Sequence, residues 1–158
     1  MQKSSVRPTD TEIERVVTAY SDMLFRICFV MLGSECDAED AVSDTFMRYM
    51  KKSPVFRDSE HEKAWLIRVA SNICRDIGRF RARNNYIDLD DAARFCHTPE
   101  MLGIMEALSE LAPQYRQVIV LHYIEGYQSA EMAKMLGISS AAVRKRLQYA
   151  REKLKLLL

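Results

Sequence analysis

The sequence predicts an all-α protein built as two small helical domains joined by a linker. Glycine and proline are scarce, at five and four of 158 residues, and β-branched alternation is weak. Apolar residues recur at three- and four-residue spacing through most of the chain. An acidic stretch with Pro99 and Gly103 interrupts that pattern past the middle. Hydrophobic residues make up 48% of the chain, enough to bury real cores at a length that holds one medium domain or two small ones.

The first helix opens after Pro8 with a capping box, Thr9 to Glu12. Ile13, Val16, Val17, Tyr20, Leu24, Ile27 and Met31 then follow helical spacing, and Gly33 with Ser34 ends the run. A second helix is expected from Asp37 as N-cap, with Glu39 and Asp40 in its first turn and Lys51 and Lys52 at its end, where each charge suits the helix dipole. Ala41, Val42, Thr45, Phe46 and Tyr49 supply its packing face. Residues 53–61 (SPVFRDSEH) read as a loop, because Pro54 breaks the helix and polar residues follow.

A third helix is expected from near Glu62. Trp65, Leu66, Val69, Ala70, Ile73 and Ile77 form its apolar side, and Arg68, Asn72, Arg75, Arg79 and Arg83 run beside them at spacings of three or four. Arginines tracking phosphates next to rings such as Trp65 and Phe80 suit single-stranded nucleic acid, although a lone Trp is more often core. Residues 84–103 (NNYIDLDDAARFCHTPEMLG) read as the linker, with room for a short helix. A short helix at 104–111 follows. Pro113 then opens another, closed by Gly126, with Val118, Ile119, Leu121, His122 and Ile124 as its packing set.

The last segment is the most specific. Ser129 is placed to cap a short helix with Met132, Ala133 and Leu136 inward, and Gly137 supplies a left-handed turn. Ile138 seats that turn in the core, and Ser139 or Ser140 caps a second helix whose Val143, Leu147, Ala150 and Leu154 face inward. This is a helix-turn-helix, whose second helix normally enters the DNA major groove. Arg144, Lys145, Arg146, Arg151, Lys153 and Lys155 crowd its other face, opposed only by Glu152. Such a face neutralises phosphates and pairs with guanine edges.

The net charge of +1 says little, but its distribution does. Basic residues outnumber acidic by fourteen to thirteen in 1–84 and eight to five in 106–158, whereas 85–105 has one basic residue against four acidic. An acidic middle thus separates neutral-to-basic ends. Cys28, Cys36, Cys74 and Cys96 form no CxxC pair, and His61, His97 and His122 are scattered, so zinc-site spacing is absent. Cys28 and Cys74, among apolar neighbours, read as buried small hydrophobes. The start MQKSSVRPTD has no apolar signal core and no run approaches membrane-spanning length, so a reducing, cytoplasmic setting is expected. No G-x-S-x-G, Walker A or H-E-x-x-H occurs, and the carboxylates Asp40, Asp44, Asp88 and Asp90 lack a partnering base or metal. An enzyme is not expected, and neither a cofactor nor a small-molecule substrate is implied.

Three segments resemble a known family. DAEDAVSDTFMRYMKK, KAWLIRVASNICRD and the long run from Leu108 to Leu154 are similar, in that order, to the extracytoplasmic-function (ECF) sigma factors of the sigma-70 family, which carry regions 2 and 4 only. The resemblance covers nearly the whole chain and implies region 2 over 9–83, a linker over 84–103 and region 4 over 104–158. It implies an adaptor that binds core RNA polymerase, through the clamp helices and flap, and directs it to promoter DNA. Asp40, Asp44 and Phe46 would face the polymerase. Phe56, Arg57, Trp65, Arg68, Asn72, Arg75 and Arg79 would open the minus-ten element and capture a flipped base. Ser139, Ser140, Ala142, Arg144, Lys145, Arg146, Tyr149 and Arg151 would read the minus-thirty-five element as duplex.

The chain departs from the family pattern at Ala141-Ala142, where Gly-Thr is common, at Tyr149, where Arg is common, and at Arg57-Asp58, where Arg-Gly is common. These bear on promoter sequence rather than on activity class. The resemblance also implies an anti-sigma partner, toward which the acidic linker and the terminal Leu156-Leu157-Leu158 are available, although the leucines can equally pack back on region 4. The alternative to a sigma factor is a helix-turn-helix regulator independent of polymerase docking. It would need a sensor or dimerisation domain where this chain has an acidic helix followed by an Arg/aromatic one.

Overall fold

The computed structural model describes residues 5–80 and 98–158. Seven α-helices are described: α1 (Asp10–Leu32), α2 (Glu35–Lys51), α3 (Ser59–Phe80), α4 (Pro99–Ser109), α5 (Pro113–Ile119), α6 (Ser129–Leu136) and α7 (Ser140–Leu157). A two-residue antiparallel ladder pairs β1 (Ser5–Val6) with β2 (Ser53–Pro54). The all-α class therefore stands, with that one minor strand pair added. The helices α1, α2 and α3 pack mutually, and α5, α6 and α7 form a second group.

Most helix ends follow the local chemistry, with four shifts. Thr9 and Glu12 form the expected capping box on α1, and Gly33 closes it at φ 68°. Ser34 then caps α2 by accepting the Asp37 N–H, so that helix begins at Glu35 rather than after Asp37. The helix α3 starts at Ser59, earlier than Glu62, because the Asp58 carboxylate accepts the His61 N–H at 2.8 Å. Thr98 caps α4 by accepting the Met101 N–H at 3.1 Å, so the helix expected at 104–111 begins at Pro99 and ends at Ser109. At α6 the N-cap is Gln128, whose N–H is held by the Glu131 carboxylate at 3.2 Å, and Ser129 is already helical.

The π-turn at Val120–Ile124 that continues α5 explains one misplaced residue. An inserted residue rotates everything after it. Val120 and Leu121 are therefore buried, while Ile124, expected inside, is exposed.

The core is continuous between the two groups. Leu24, Ile27, Leu66 and Ile67 share one cluster of buried residues with Leu111, Val118, Leu121, Met132 and Val143. Each contributes about 1.5–3 kcal/mol of burial. Cys28 and Cys74 lie inside it as expected, and their contact, with burial, pushes the Cys74 thiol well above its ordinary value.

Polar groups cross the helix pairs as well. Arg15 on α1 donates from Nη1 and Nη2 to the two carboxylate oxygens of the buried Glu62 on α3, at 3.0 and 2.9 Å, which holds the arginine's pKa above its ordinary value. Arg116 on α5 is buried and donates to the carbonyls of Leu111 and Met31.

Candidate nucleic-acid interface

On α2, alternate faces part cleanly. Ala38, Ala41, Thr45, Phe46 and Tyr49 face the core, whereas Asp40 and Asp44 are exposed one turn apart. Phe46, expected at the partner surface with those acids, is instead 7% exposed and packs inward. The apolar residue on the acidic stripe is Met47, 47% exposed and three residues from Asp44. Sequence spacing was the available signal, since 40, 44 and 47 lie on one helical line while 46 falls with 45 and 49.

The loop into α3 carries a cluster of rings. Phe56 stacks parallel to Tyr49 at 6.5 Å and meets Trp65 edge-on at 5.8 Å and His61 at 5.3 Å. Trp65 also tilts against Tyr49 at 6.3 Å. Burial raises the Tyr49 phenol above its ordinary pKa, so that ring stays neutral. The His61 Nδ1 accepts the Arg57 N–H at 3.1 Å, and with the Asp58 cap this shapes the turn. No described non-glycine residue takes a positive φ, so Asp58 replaces the more common glycine without strain. His61 was missed from sequence; its three-residue distance from Asp58 was the only hint.

Trp65 and Phe56 are half-buried, so each presents part of a ring outward. Arg57 and Arg68 are exposed beside them. Asn72 lies one turn beyond Arg68 and is half-buried, because its Oδ1 accepts from Gln117 Nε2 at 3.1 Å. Arg75, next on that line, is also half-buried, with Nε 3.7 Å from Asp76 Oδ1. The side chain of Arg79 lies outside the described residues, as do Phe80's and Arg83.

In the helix-turn-helix, Gly137 takes φ 69° and Ser139 accepts the Ala142 N–H at 3.0 Å, so Ser139, not Ser140, is the cap. Met132, Ala133, Val143, Leu147 and Ala150 are buried, with Ile138 and Leu154 packed against them. That packing turns Arg144 and Lys145 fully outward and leaves Ser140, Ala142 and Arg146 half-buried. Tyr149 is exposed, its ring tilted by 33° against that of Tyr115 with centroids 4.3 Å apart. Arg151 donates to the Tyr123 hydroxyl at 3.2 Å, and Tyr123 is itself exposed. Tyr115 and Tyr123 thus support two expected DNA-facing residues from α5 and the π-turn. Leu156, Leu157 and Leu158 are exposed rather than folded back.

Among the described residues no group of three or more His, Cys, Asp or Glu is placed to hold a metal. None of the described helices is long and apolar enough to cross a membrane.

This arrangement agrees with family comparison. Residues 16–86 match the sigma-70 region 2 model and residues 101–154 the sigma-70 region 4 model, which together define a sigma-70 type chain. SigL of Mycobacterium tuberculosis, an ECF RNA polymerase sigma factor, is 31% identical over 152 residues, covering 88% of this chain and 84% of SigL. The ECF factor SigW of Bacillus subtilis is 28% identical over 159 residues, covering 89% and 85%. The chain spans little more than half the length of BldN of Streptomyces coelicolor, 55%, at 29% identity over 85% of this chain. The solved structure of CnrH in complex with the cytosolic domain of CnrY superposes with a TM-score of 0.68 at 29% identity, over 94% of this chain and 88% of CnrH. The sigma factor RpoE of Bartonella quintana, solved with the anti-sigma factor NepR, shares the fold at 20% identity and TM-score 0.68, over 93% of this chain and 96% of RpoE. The chain belongs to the ECF RNA polymerase sigma factors.

Proposed function

We propose that this protein is a transcription initiation factor that binds core RNA polymerase and directs it to promoters, with no catalysis of its own. In this reading 9–83 is the polymerase-binding and minus-ten-opening unit and 104–158 the minus-thirty-five unit. Asp40, Asp44 and Met47 form the polymerase-docking stripe. Phe56, Arg57, Trp65, Arg68, Asn72 and Arg75 capture the displaced strand, with rings for stacking and guanidiniums for phosphates. Arg144, Lys145 and Arg146 enter the major groove, and Arg151 meets the backbone.

The carrying observation is the ring cluster of Tyr49, Phe56, Trp65 and His61 beside Arg68 and Asn72. A regulator that reads duplex through its helix-turn-helix alone has no use for it. The solved complexes of CnrH with CnrY and of RpoE with NepR support a protein inhibitor as a further partner. Action on RNA polymerase assigns the protein to the cytoplasm.

Run-off transcription with bacterial core polymerase tests the reading, using a library of host promoter fragments that includes the DNA upstream of the protein's own gene. Discrete starts that need the protein are expected. No starts, with no binding to core polymerase on a native gel, would leave the helix-turn-helix regulator as the better account.

A further inference from the structure

We infer that the N-terminal strand β1 is a positioning element for strand opening, because it ties the root of the strand-capturing loop, 53–58, to the start of α1. This rests on the function proposed above. Ser5 and Val6 pair antiparallel with Pro54 and Ser53. Pro54 has no N–H, so Val6 with Ser53 is the pair that exchanges both ladder hydrogen bonds. Two residues, Arg7 and Pro8, separate the ladder from Thr9, whose capping box starts α1. At about 3.3–3.6 Å per residue, Val6 stands within about 11 Å of Thr9. Pro8 is buried, its ring fixes its own φ, and it keeps Arg7 extended. The strap is therefore short and stiff, and α1, which packs on both α2 and α3, sets where the ladder lies.

The loop needs such an anchor at its α2 end. The helix α2 closes on Lys52, which is extended at φ −166° and ψ 95°, rather than on a left-handed residue that would turn the chain at once. The α3 end is shaped by the Asp58 cap and by the Arg57 N–H on His61 Nδ1. Between these ends Ser53 is buried, Val55 and Arg57 stand exposed and Phe56 is half-buried. A ladder of two residues in a two-stranded sheet adds little to the stability of the whole chain. Its effect is conformational. Fixing Ser53 and Pro54 restricts the backbone from which Phe56 and Arg57 project, so the loop meets the displaced strand already ordered. Without the strap the loop is ordered only on capture, and that entropy loss falls on the opening step.

The holoenzyme formed with core polymerase tests this on a promoter recovered by the run-off experiment. Val6→Pro removes the N–H that β1 donates to Ser53 and leaves the Thr9 capping box in place. Strand opening, followed by 2-aminopurine fluorescence at the minus-ten position, should slow by about fivefold, the size that one net hydrogen bond supports. Core binding on a native gel, affinity for a minus-thirty-five duplex and helicity should all match wild type. Val6→Ile keeps both the N–H and the β-branched shape and should open at the wild-type rate, whereas deletion of residues 2–6 should open as slowly as Val6→Pro. Wild-type opening by either Val6→Pro or the deletion would overturn the inference. So would slow opening that comes with lost core binding or lost helicity, or equally slow opening by Val6→Ile. In each of these cases an active wild type leaves the sigma reading intact. A wild-type protein that opens no promoter would sink that reading and this inference with it.

Discussion

Arg116→Met tests how much of the fold depends on one side chain reaching between the two halves. The last carbonyls of α1 have no intrahelical donor, and its last turn has no basic residue of its own. Arg116 supplies both a donor and a cation there, from a helix 85 residues away in sequence, and its Nε also satisfies Leu111 O at 3.0 Å. Methionine keeps most of the stem volume and leaves two carbonyls without that donor. Each costs about 1–3 kcal/mol, and losing the cation at the helix end adds about 0.5–1 kcal/mol. Removing a desolvated guanidinium returns some of this, so the net expected loss is about 2 kcal/mol. In urea, with a slope of about 2 kcal/mol per molar, the unfolding midpoint followed by circular dichroism should fall by about 1 M. Arg116→Lys, which keeps the charge but cannot reach both carbonyls, should fall between. A midpoint for Arg116→Met equal to or above wild type would refute the reasoning, because the carbonyls would then be satisfied without the arginine.

Other expectations follow from the exposed surfaces. Arg144→Ala and Arg146→Ala should each weaken duplex promoter binding and lower its salt slope by about one unit for every phosphate no longer neutralised, as measured by anisotropy against salt concentration; unchanged slopes would remove the second helix of the helix-turn-helix from the DNA. Asp44→Lys should abolish binding to core polymerase with helicity unchanged, since the residue is exposed; lost helicity would make Asp44 structural. His61→Ala should slow strand opening several-fold, read by 2-aminopurine fluorescence at the minus-ten position. Duplex affinity of the helix-turn-helix should stay constant, and His61→Asn, which restores an acceptor for the Arg57 N–H, should recover part of the rate. Equal rates for the alanine variant and wild type would separate that hydrogen bond from melting.

The candidate site was legible where its geometry is made within one turn of helix. The Gly137 turn, the Ser139 cap and the inward line of Val143, Leu147 and Ala150 follow from interactions between residues one to four apart, and they oblige Arg144 and Lys145 to face out. Asp40 and Asp44 were exposed for the same reason. Phe46 and Met47 are neighbours about 100° apart around the helix; spacing placed Phe46 on the packing face with Thr45 and Tyr49, and only the family resemblance placed it at the partner surface.

The sequence by itself determined an all-helical chain, the identity of nearly every helix, the turn of the helix-turn-helix and the three segments that mark the family. These are local matters of propensity, capping and period. The tertiary structure alone decided how the halves sit against each other, that Gln117 takes Asn72, that Arg116 closes α1 and that Glu62 is buried with Arg15. The reason is physical: each is a polar side chain inside a helix whose own pattern shows where it lies on the wheel, while the partner that satisfies it is 45 to 85 residues away and is chosen by packing.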